Sequence, residues 1–571
     1  MDSSNSHMKT LRVLDPRIAR QNKEVIVVVD GPSSVTFQAS RPSDPASTSP
    51  SFVIQTPSPN AGISRTLRLH AKGVLTITGV NLDGWKAAPS LALRQNALQC
   101  IMTNCSASIN DLTVSLGSLY LMANPLATVG NTSASMKQSQ SGGANRPDVY
   151  SEYISDVGAD TIFGCIGDGP YGDALVNGRT AQITSITYTG TTSVAVAYDI
   201  YENLLLSPLE YTNSTSKSLY GVNVMTINVN YGNFHRMLSW APTPGGAGAL
   251  SVTSVSNVFQ DQEIRVSYVV AYDSSLTHLP LKNTYDLSSV QYFSSTLGSS
   301  FAPNASIGVS FNAVEFAVVP SRLIIYVTAS VQDITDPTQS IPDFCFAPAA
   351  SGAASITFGT RAGLLSGASD FELWDMYRAN GGCLPYPVWS GRRAITSQDP
   401  PPGGTRAYAG GPLIIDVASD LSLPSGVCPG LAQRIQFAMQ GNFVNQTAET
   451  WTNLRVVVIA ITPGILNIKD GASMSMQGNG LSLEQIAKAP VAGIMETKQL
   501  VKNRSSSGYG GSFWDDFTSG LSSVANTVAG VAKTAAPFLP LVMGGAPMGG
   551  APMGGAPMGG RRLTKAQMAR Y

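Results

Sequence analysis

The sequence predicts an all-β protein of two tandem eight-stranded jelly rolls with long loop insertions, followed by a C-terminal amphipathic helical tail. Three observations lead to this prediction. Short runs of Val, Ile, Leu, Thr and Tyr alternate with clusters of Gly, Pro, Asn, Asp and Ser. The strand pattern occurs in two passes, which a polar, proline-containing connection separates. After the second pass, the pattern changes to helical spacing and then to low-complexity repeats.

The chain is long enough for several domains and carries few charges. Its 571 residues correspond to about three to four average domains, or to two large all-β ones. Charged residues make up 13% of the chain, and 36 basic residues balance 36 acidic ones. A surface of small polar residues has little like-charge repulsion, which favours lateral association. The neutral balance disfavours nucleic-acid binding by the chain as a whole.

The cysteines and the N-terminus indicate a protein made in a reducing compartment. The six cysteines are spread from Cys100 to Cys428 without a CxxC pair, so we expect free thiols. The N-terminal MDSSNSHMKT lacks the apolar segment of a signal peptide, and no stretch reaches the roughly 20 apolar residues of a spanning helix. We therefore expect neither standard secretion nor an integral membrane protein.

Strand-like segments run from Lys23 to about Lys469. The clearest are Glu24–Gly31, Gly73–Val80, Ala181–Gly190, Thr192–Tyr201, Gly221–Gly232, Ile264–Tyr272, Arg322–Val331, Pro412–Ser419 and Leu454–Gly464. The predicted units are an N-terminal arm (1–22), jelly roll 1 (23–272), a connection (273–282), jelly roll 2 (283–471), a short helix and linker (472–512) and the tail (513–571). The Ser-, Gly- and Asn-rich stretch Ala123–Val149 is predicted to be a long irregular insertion.

The tail has three parts. An apolar stripe at steps of three and four predicts an amphipathic helix that ends at Pro537. The stripe consists of Trp514, Phe517, Leu521, Val524, Val528 and Val531. The motif GGAPM then repeats three times over Gly544–Met558 as a low-complexity spacer. The last segment is basic, with Arg561, Arg562, Lys565 and Arg570 and no acidic residue.

No active site can be assembled from the sequence. The four histidines, His7, His70, His235 and His278, lack metal-ligand or catalytic-triad spacing. No nucleophile elbow, Walker loop or dinucleotide-binding fingerprint occurs. The glycine-rich GCIGDGPYGD at Gly164–Asp173 is interpreted as a surface turn rather than a ligand loop. We therefore predict no catalytic residue, cofactor or metal, and we interpret His235 as a solvated or hydrogen-bonded structural residue.

The acidic segment SDFELWDMY (Ser369–Tyr377) has the densest set of acids in the chain, and two facing acids in a jelly roll can form a glycosidase site. Asp370, Glu372 and Asp375 lie beside Trp374, which on paper is similar to a sugar platform. We favour a simpler interpretation, in which the apolar side chains of this element pack inward and the acids face solvent.

Five segments carry a resemblance to a known family. They are Val27–Gly79, Ser218–Leu238, Tyr285–Ser295, Phe371–Gly391 and Gly441–Gly471. In this order and spacing they resemble the double jelly-roll major capsid proteins of double-stranded DNA viruses, and within them those of polinton-like viruses, adintoviruses and virophages. The resemblance covers about Lys23–Gly471, and the tail after Lys498 is not part of the shared pattern.

The resemblance implies a non-enzymatic major capsid protein that forms pseudo-hexagonal homotrimers, which tile an icosahedral shell around a double-stranded DNA genome. Its partners would be further copies of itself in neighbouring capsomers, penton proteins, and minor capsid or cement proteins. The tail is outside the resemblance, and its own residues predict its role: the apolar stripe would dock on an adjacent capsid subunit, a minor capsid protein or an internal membrane surface, and the four basic residues would make weak, non-specific genome contact. The protein would be made in the host cytoplasm or nucleus and would reside in the virion.

Two other classes of protein remain as alternatives. A lectin-like or carbohydrate-active jelly-roll protein would stack sugars on Trp374, Trp389 and Trp451. Such a protein is expected to follow a secretory route, which the N-terminus does not indicate. A spike or fibre-type attachment protein would show elongated repeats or coiled-coil segments, and the sequence shows neither.

Overall fold

A computed structural model of the chain consists mainly of antiparallel β-sheets. It describes residues 9–14, 24–30, 34–57, 61–83, 91–94, 96–129, 181–209, 218–240, 251–270, 282–303, 305–338, 346–349, 352, 354–382, 386–390, 410–421, 423, 427–445, 450–469 and 471–478. All statements about the structure refer to these residues.

Fifteen strands precede the predicted connection between the jelly rolls. They are β1 (Lys9–Leu14), β2 (Glu24–Asp30), β3 (Ser34–Ser40), β4 (Ser51–Gln55), β5 (Ala61–Ser64), β6 (Arg68–Val80), β7 (Leu91–Leu93), β8 (Met102–Ile109), β9 (Leu112–Gly117), β10 (Ala181–Thr189), β11 (Ser193–Asn203), β12 (Ser218–Leu219), β13 (Val224–Tyr231), β14 (Leu238–Trp240) and β15 (Ser251–Val270). Helix α1 (Leu119–Val129) and two 3-10 helices, Gln99–Ile101 and Phe234–Met237, lie between them.

Ten strands follow the connection. They are β16 (Lys282–Leu297), β17 (Ser306–Phe316), β18 (Arg322–Thr328), β19 (Phe346–Pro348), β20 (Ser355–Phe358), β21 (Arg361–Leu364), β22 (Leu413–Asp416), β23 (Ile435–Asn445), β24 (Leu454–Lys469) and β25 (Ala472–Gln477). Four short helices accompany them: α2 (Val331–Thr335), α3 (Asp370–Ala379), α4 (Tyr386–Trp389) and α5 (Val417–Asp420).

Each half of the fold is built from two main sheets. In jelly roll 1, a seven-stranded sheet has the order β10-β11-β6-β15-β5-β12 with β3 also paired to β15, and a four-stranded sheet has the order β4-β13-β8-β9. In jelly roll 2, one five-stranded sheet has the order β16-β24-β18-β22 with β25 on β24, and the other has the order β17-β23-β20-β21 with β19 on β23. The halves therefore contain more strands than the predicted eight each, because short strands extend the sheets.

Alternating side chains build the core between the sheets. Along β11, the alternate residues Val194, Val196, Tyr198 and Ile200 are buried, while the residues between these positions are half-buried, as expected for a strand with one face on the core. Aromatic contacts join the two sheets of each half. The ring centroids of Tyr231 and Phe259 are 5.0 Å apart in jelly roll 1, and the ring centroids of Phe293 and Phe316 are 5.6 Å apart in jelly roll 2. The all-β prediction is thus confirmed.

Every clearly predicted segment contains a strand, but three details differ. The segment Pro412–Ser419 changes to helix α5 after Asp416, because the Asp416 carboxylate accepts hydrogen bonds from the backbone amides of Ala418 and Ser419. The insertion Ala123–Val149 is not irregular at its start, since α1 continues to Val129. Strand β2, predicted within jelly roll 1, pairs instead with β1 of the N-terminal arm in a separate two-stranded sheet.

Candidate functional site

The predicted tail sites lie outside the described residues. This holds for the helical stripe Trp514, Phe517, Leu521, Val524, Val528 and Val531, and for Arg561, Arg562, Lys565 and Arg570. The glycine-rich segment Gly164–Asp173 and the short helix predicted near Leu481–Ala489 also lie outside them. Among the helices that the structure describes, none is long and apolar enough to cross a membrane.

The acidic segment of jelly roll 2 forms helix α3, and two of its acids have structural roles. Ser369 and Glu372 form a capping box at the helix start. Asp370 is buried and accepts a 2.7 Å hydrogen bond from the Tyr386 hydroxyl, so the expectation that the acids face solvent is wrong for this residue. Phe371, expected on the packed side, is 55% exposed. These interactions stabilise the helix and its contact with α4.

The tryptophans of the lectin alternative do not form a sugar platform. Trp389 is 0% exposed and donates from Nε1 to the Pro412 carbonyl at 2.9 Å. Trp451 is 7% exposed, and only Trp374 is half-buried. A sugar ring must stack on an open aromatic face, which a buried indole cannot offer. The comparisons below give this alternative no support either.

A charged network that the sequence analysis missed lies on the outer face of the seven-stranded sheet. Alternation along β6 places His70 on the opposite face from the core residue Leu69. Nδ1 of His70 lies 2.9 Å from Glu263 Oε1, and Nε2 lies 2.9 Å from Asp199 Oδ1. The ring therefore bridges carboxylates of two neighbouring strands. The Tyr201 ring stacks on His70 at 3.9 Å, which holds its orientation.

Three basic side chains complete the network. Arg41 contacts Glu263 at 3.2 Å, Arg265 also donates to this carboxylate, and Lys72 lies 3.1 Å from Asp199. Burial alone would raise the pKa of Glu263, but the hydrogen bonds from His70 and Arg265 outweigh it and lower the pKa below its ordinary value.

The same cluster has the composition of a metal site, yet its charges are already paired. Ligand atoms of His70, Asp261 and Glu263 lie within 4.8 Å of one another. However, both nitrogens of His70 face carboxylates, and Arg41 bridges Glu263 and Asp261. We therefore interpret the cluster as an ion-pair network that joins β6, β11 and β15. The prediction that the protein holds no metal stays a prediction.

Hydrogen bonds connect the two jelly rolls directly. Arg65 of jelly roll 1 donates to the Asp286 carbonyl at 3.0 Å. The Tyr285 hydroxyl accepts from the Tyr220 amide at 2.6 Å, and Ser207 Oγ accepts from the Ser288 amide at 2.8 Å. We call this contact region the seam; its further pairs are Tyr326 with Leu121, His235 with Ile334, Ser473 with Asp111, and Ser473 with Asn110.

His235 is a buried member of the seam. Its Nε2 lies 2.9 Å from the Ile334 carbonyl of α2 in jelly roll 2. The ring is 4% exposed, and the neighbouring Arg94 and Arg236 are also buried. The interpretation of His235 as a hydrogen-bonded structural residue is therefore confirmed.

The cysteines that the structure describes are free thiols, as predicted. Cys100 and Cys105 are buried, and Cys428 is half-buried. Burial raises the pKa of the Cys105 thiol to about 12, so it stays protonated and unreactive. The other three cysteines lie outside the described residues.

The fold and sequence match known capsid proteins. A family model described as the major capsid protein V20 C-terminal domain matches residues 290–464. The putative capsid protein V20 of Sputnik virophage is 22% identical over 563 residues, which is 93% of this chain and 89% of that protein. Over most of its length, the chain is therefore similar in sequence to a virophage capsid protein.

Comparison with solved structures shows that the chain has the double jelly-roll fold of virophage capsid proteins. It matches a chain of the 3.5 Å cryo-EM structure of Sputnik virophage with a TM-score of 0.65 and 19% identity, over 87% of this chain and 99% of that chain. It matches the crystal structure of the mavirus major capsid protein with a TM-score of 0.62 and 15% identity, over 86% and 99% of the two chains. The recognition of a double jelly-roll capsid protein is confirmed.

Proposed function

We propose that this chain is a major capsid protein whose homotrimers, pseudo-hexagonal in outline, tile an icosahedral shell around a double-stranded DNA genome. The observation that carries the proposal is a pair of jelly rolls in one chain, joined by a hydrogen-bonded seam. Three such chains contribute six similar barrels, which suits a hexagonal capsomer with three-fold symmetry. The low charge of the chain favours close lateral packing of such capsomers.

The test is the oligomeric state and outline of the purified protein. Negative-stain images are expected to show compact trimers with a hexagonal outline, and light scattering should give the mass of three chains. The subunit contacts should bury well over about 2,000 Å² in total. A stable monomer at micromolar concentration in near-physiological salt would contradict the proposal.

The proposed partners are neighbouring capsomers, penton proteins, and minor capsid or cement proteins. The protein would reside in the virion shell after synthesis in the host cytoplasm or nucleus. We propose no enzymatic activity and no cofactor; in support, the matched relatives are described as capsid proteins.

The N-terminal arm is proposed to link capsomers. Strand β1 of this arm pairs with β2 in a sheet separate from the jelly-roll sheets, so the barrels do not depend on it for their strand order. Deletion of residues 1–22 should spare trimer formation and impair shell assembly. Normal assembly of the deleted protein would reject the linking role.

A further inference from the structure

The His235 contact connects two short elements from different jelly rolls. His235 belongs to the 3-10 helix Phe234–Met237, and Ile334 belongs to α2. Because Nε2 lies 2.9 Å from the Ile334 carbonyl, which can only accept, Nε2 carries a hydrogen and donates it. A neutral ring with its hydrogen on Nε2 is sufficient for this contact.

Positive charges surround the histidine. Arg94 donates from Nε to the Leu238 carbonyl at 2.9 Å, immediately after the 3-10 helix, and it is 1% exposed. Arg236, the next residue in the chain, is 2% exposed. On the α2 side, Asp336 is the acid that favours a charged imidazole, whereas Asp333 is engaged with the Ser330 hydroxyl at the helix start.

One more buried titratable group, Glu202 of β11, binds the start of the other 3-10 helix, Gln99–Ile101. The Glu202 carboxylate accepts hydrogen bonds from the backbone amides of Leu98 and Gln99 at 3.0 and 3.2 Å. This carboxylate is fully buried. The charges that shift the pKa of His235 are those of Arg236, Arg94 and Asp336, and Glu202 is not among them.

We propose that His235 is an acid-sensitive lock between the two jelly rolls. Protonation places a second N–H and a positive charge in a buried site beside two arginines, where water cannot solvate it. The hydrogen bond to Ile334 favours the charged ring, but burial and the two arginines outweigh it, so protonation shifts the equilibrium toward an opened site in which water reaches the ring and the bond to α2 is broken. If the chain forms the proposed shell, acidification would loosen each subunit at the point where its two barrels meet.

The direction of the pH effect follows from the surroundings of the ring. Burial is the main cause, and with Arg236 and Arg94 it lowers the pKa of His235 from 6.5 to about 4. The closed seam is therefore fully favoured above pH 6.5 and is weakened as pH falls toward 4. If opening restores the ordinary pKa, the opening equilibrium constant rises by about 60-fold between pH 7 and pH 4.5.

A local measurement is needed, because Glu202 opposes this trend. Burial raises the pKa of Glu202 to about 7, so acidification stabilises the fold around that residue. Hydrogen–deuterium exchange of the full-length protein, read by mass spectrometry in peptides that cover 234–240 and 331–338, separates the two effects. The matched variants are His235→Gln, which keeps an N–H donor but cannot titrate, and His70→Gln, which removes a buried histidine outside the seam.

The expected result is faster exchange of both peptides at pH 4.5 than at pH 7.5, after correction for intrinsic exchange, in the wild type and in His70→Gln. His235→Gln should lose this acid response. An equal response in His235→Gln, or no response in the wild type, would overturn the proposal.

A second measurement does not depend on any variant folding. The rate at which the C2 hydrogen of a histidine exchanges depends on protonation of its ring. Its pH dependence, also read by mass spectrometry, gives the pKa of His235 in the wild-type protein. An apparent pKa near 4 supports the lock, and one at or above 6.5 overturns it. Size-exclusion chromatography of the same samples reports the oligomeric state. Loss of the trimer can therefore be distinguished from a local change at His235.

Discussion

The outer-face network shows how a single residue can join strands that are far apart in sequence. His70 on β6 lies opposite Glu263 on β15 and Tyr201 on β11 in the sheet register. It contacts Glu263 across 193 positions of sequence and Asp199 across 129. The stability of the fold depends on each donor to the buried Glu263 carboxylate, because leaving a buried charge without partners costs free energy.

Replacement of His70 with Ala should lower the free energy of unfolding by about 2–4 kcal/mol, because it leaves the buried Glu263 carboxylate with fewer donors. Equilibrium urea unfolding checks this expectation. Lys72→Ala is the control on the same strand face, since its ion pair with Asp199 is solvent-exposed and should contribute little. Equal effects of the two substitutions would contradict the assigned role of His70.

Glu202 should make the protein less stable as pH rises. Its pKa is about 7 in the folded chain and 4.5 ordinarily, because burial outweighs the backbone hydrogen bonds it accepts. The folded state thus keeps a proton that the unfolded state releases, and stability falls by about 3 kcal/mol between pH 4.5 and pH 7. Unfolding of the wild type and Glu202→Gln, compared at pH 5 and pH 7.5, measures the difference. A constant difference between the two proteins would contradict this expectation.

The roles of individual residues could be predicted from the sequence only in part. The neighbours of His235 in sequence indicated a structural histidine, and the hydrogen bond to Ile334 confirms it. The partners of His70 were not predictable by spacing, because they lie on strands whose register depends on the whole sheet. The only signal was the alternation that puts His70 and Lys72 on the non-core face. The acids of α3 were predicted to face solvent, but Asp370 is buried and accepts a hydrogen bond from Tyr386.

The turn between β24 and β25 illustrates the constraints on an element. Gly471 in this turn has a φ of +78°, a region that disfavours residues with a Cβ. A Cβ there would also lie 2.5 Å from Nδ2 of Asn223 in jelly roll 1. The turn therefore requires glycine for its backbone and for its close approach to the neighbouring barrel.

Replacement of Gly471 with Ala should destabilise the protein by about 1–3 kcal/mol, through backbone strain and the clash with Asn223. A thermal-unfolding shift measures this effect. Gly298→Ala is the matched control, because a Cβ at that position meets nothing within 4 Å. A similar shift for both substitutions would argue against the strain.

Strands were more predictable than helices for a physical reason. Alternating burial leaves a period-two pattern, and segments such as Thr192–Tyr201 carry it clearly. Helix α5 depends instead on a local cap, since Asp416 binds the two amides that follow. Helix α1 contains Pro125, a residue that normally indicates a helix end. Tertiary packing overrides this local signal, and sequence patterns alone do not include such packing.

At the level of the whole molecule, the tail from Phe513 onward lies outside the described residues, and its role stays a prediction. It is proposed to dock on an adjacent subunit or minor capsid protein, with a membrane surface as the second candidate. The stripe from Trp514 to Val531 suits a groove or an interface, while about four basic residues give only weak, salt-sensitive genome contact.

Removal of Phe513–Tyr571 should leave the trimer and its melting temperature nearly unchanged while lowering the yield of closed particles. Size-exclusion chromatography, thermal unfolding and electron microscopy of assembled particles measure the three quantities. Unfolding or aggregation of the truncated trimer would mean that the helix belongs to the subunit core.

The overall architecture was predictable because it rests on many independent strands. Five weak segments in a fixed order indicated the double jelly roll, and the match over 93% of the chain agrees. The packing of the two barrels was not predictable, since the seam joins residues as distant as Asn110 and Ser473.

The seam also bears on how the sequence can change over generations. In most of its pairs, a side chain of one barrel contacts a backbone group of the other, as Arg65 does with the Asp286 carbonyl and Tyr326 with the Leu121 carbonyl. A backbone group persists whatever side chain its residue carries. Selection therefore acts on one residue of each pair, and the partner position is free to drift. Paired substitutions across the seam should accordingly be rare among relatives, even where their sequences have diverged as far as the 22% identity to the Sputnik protein.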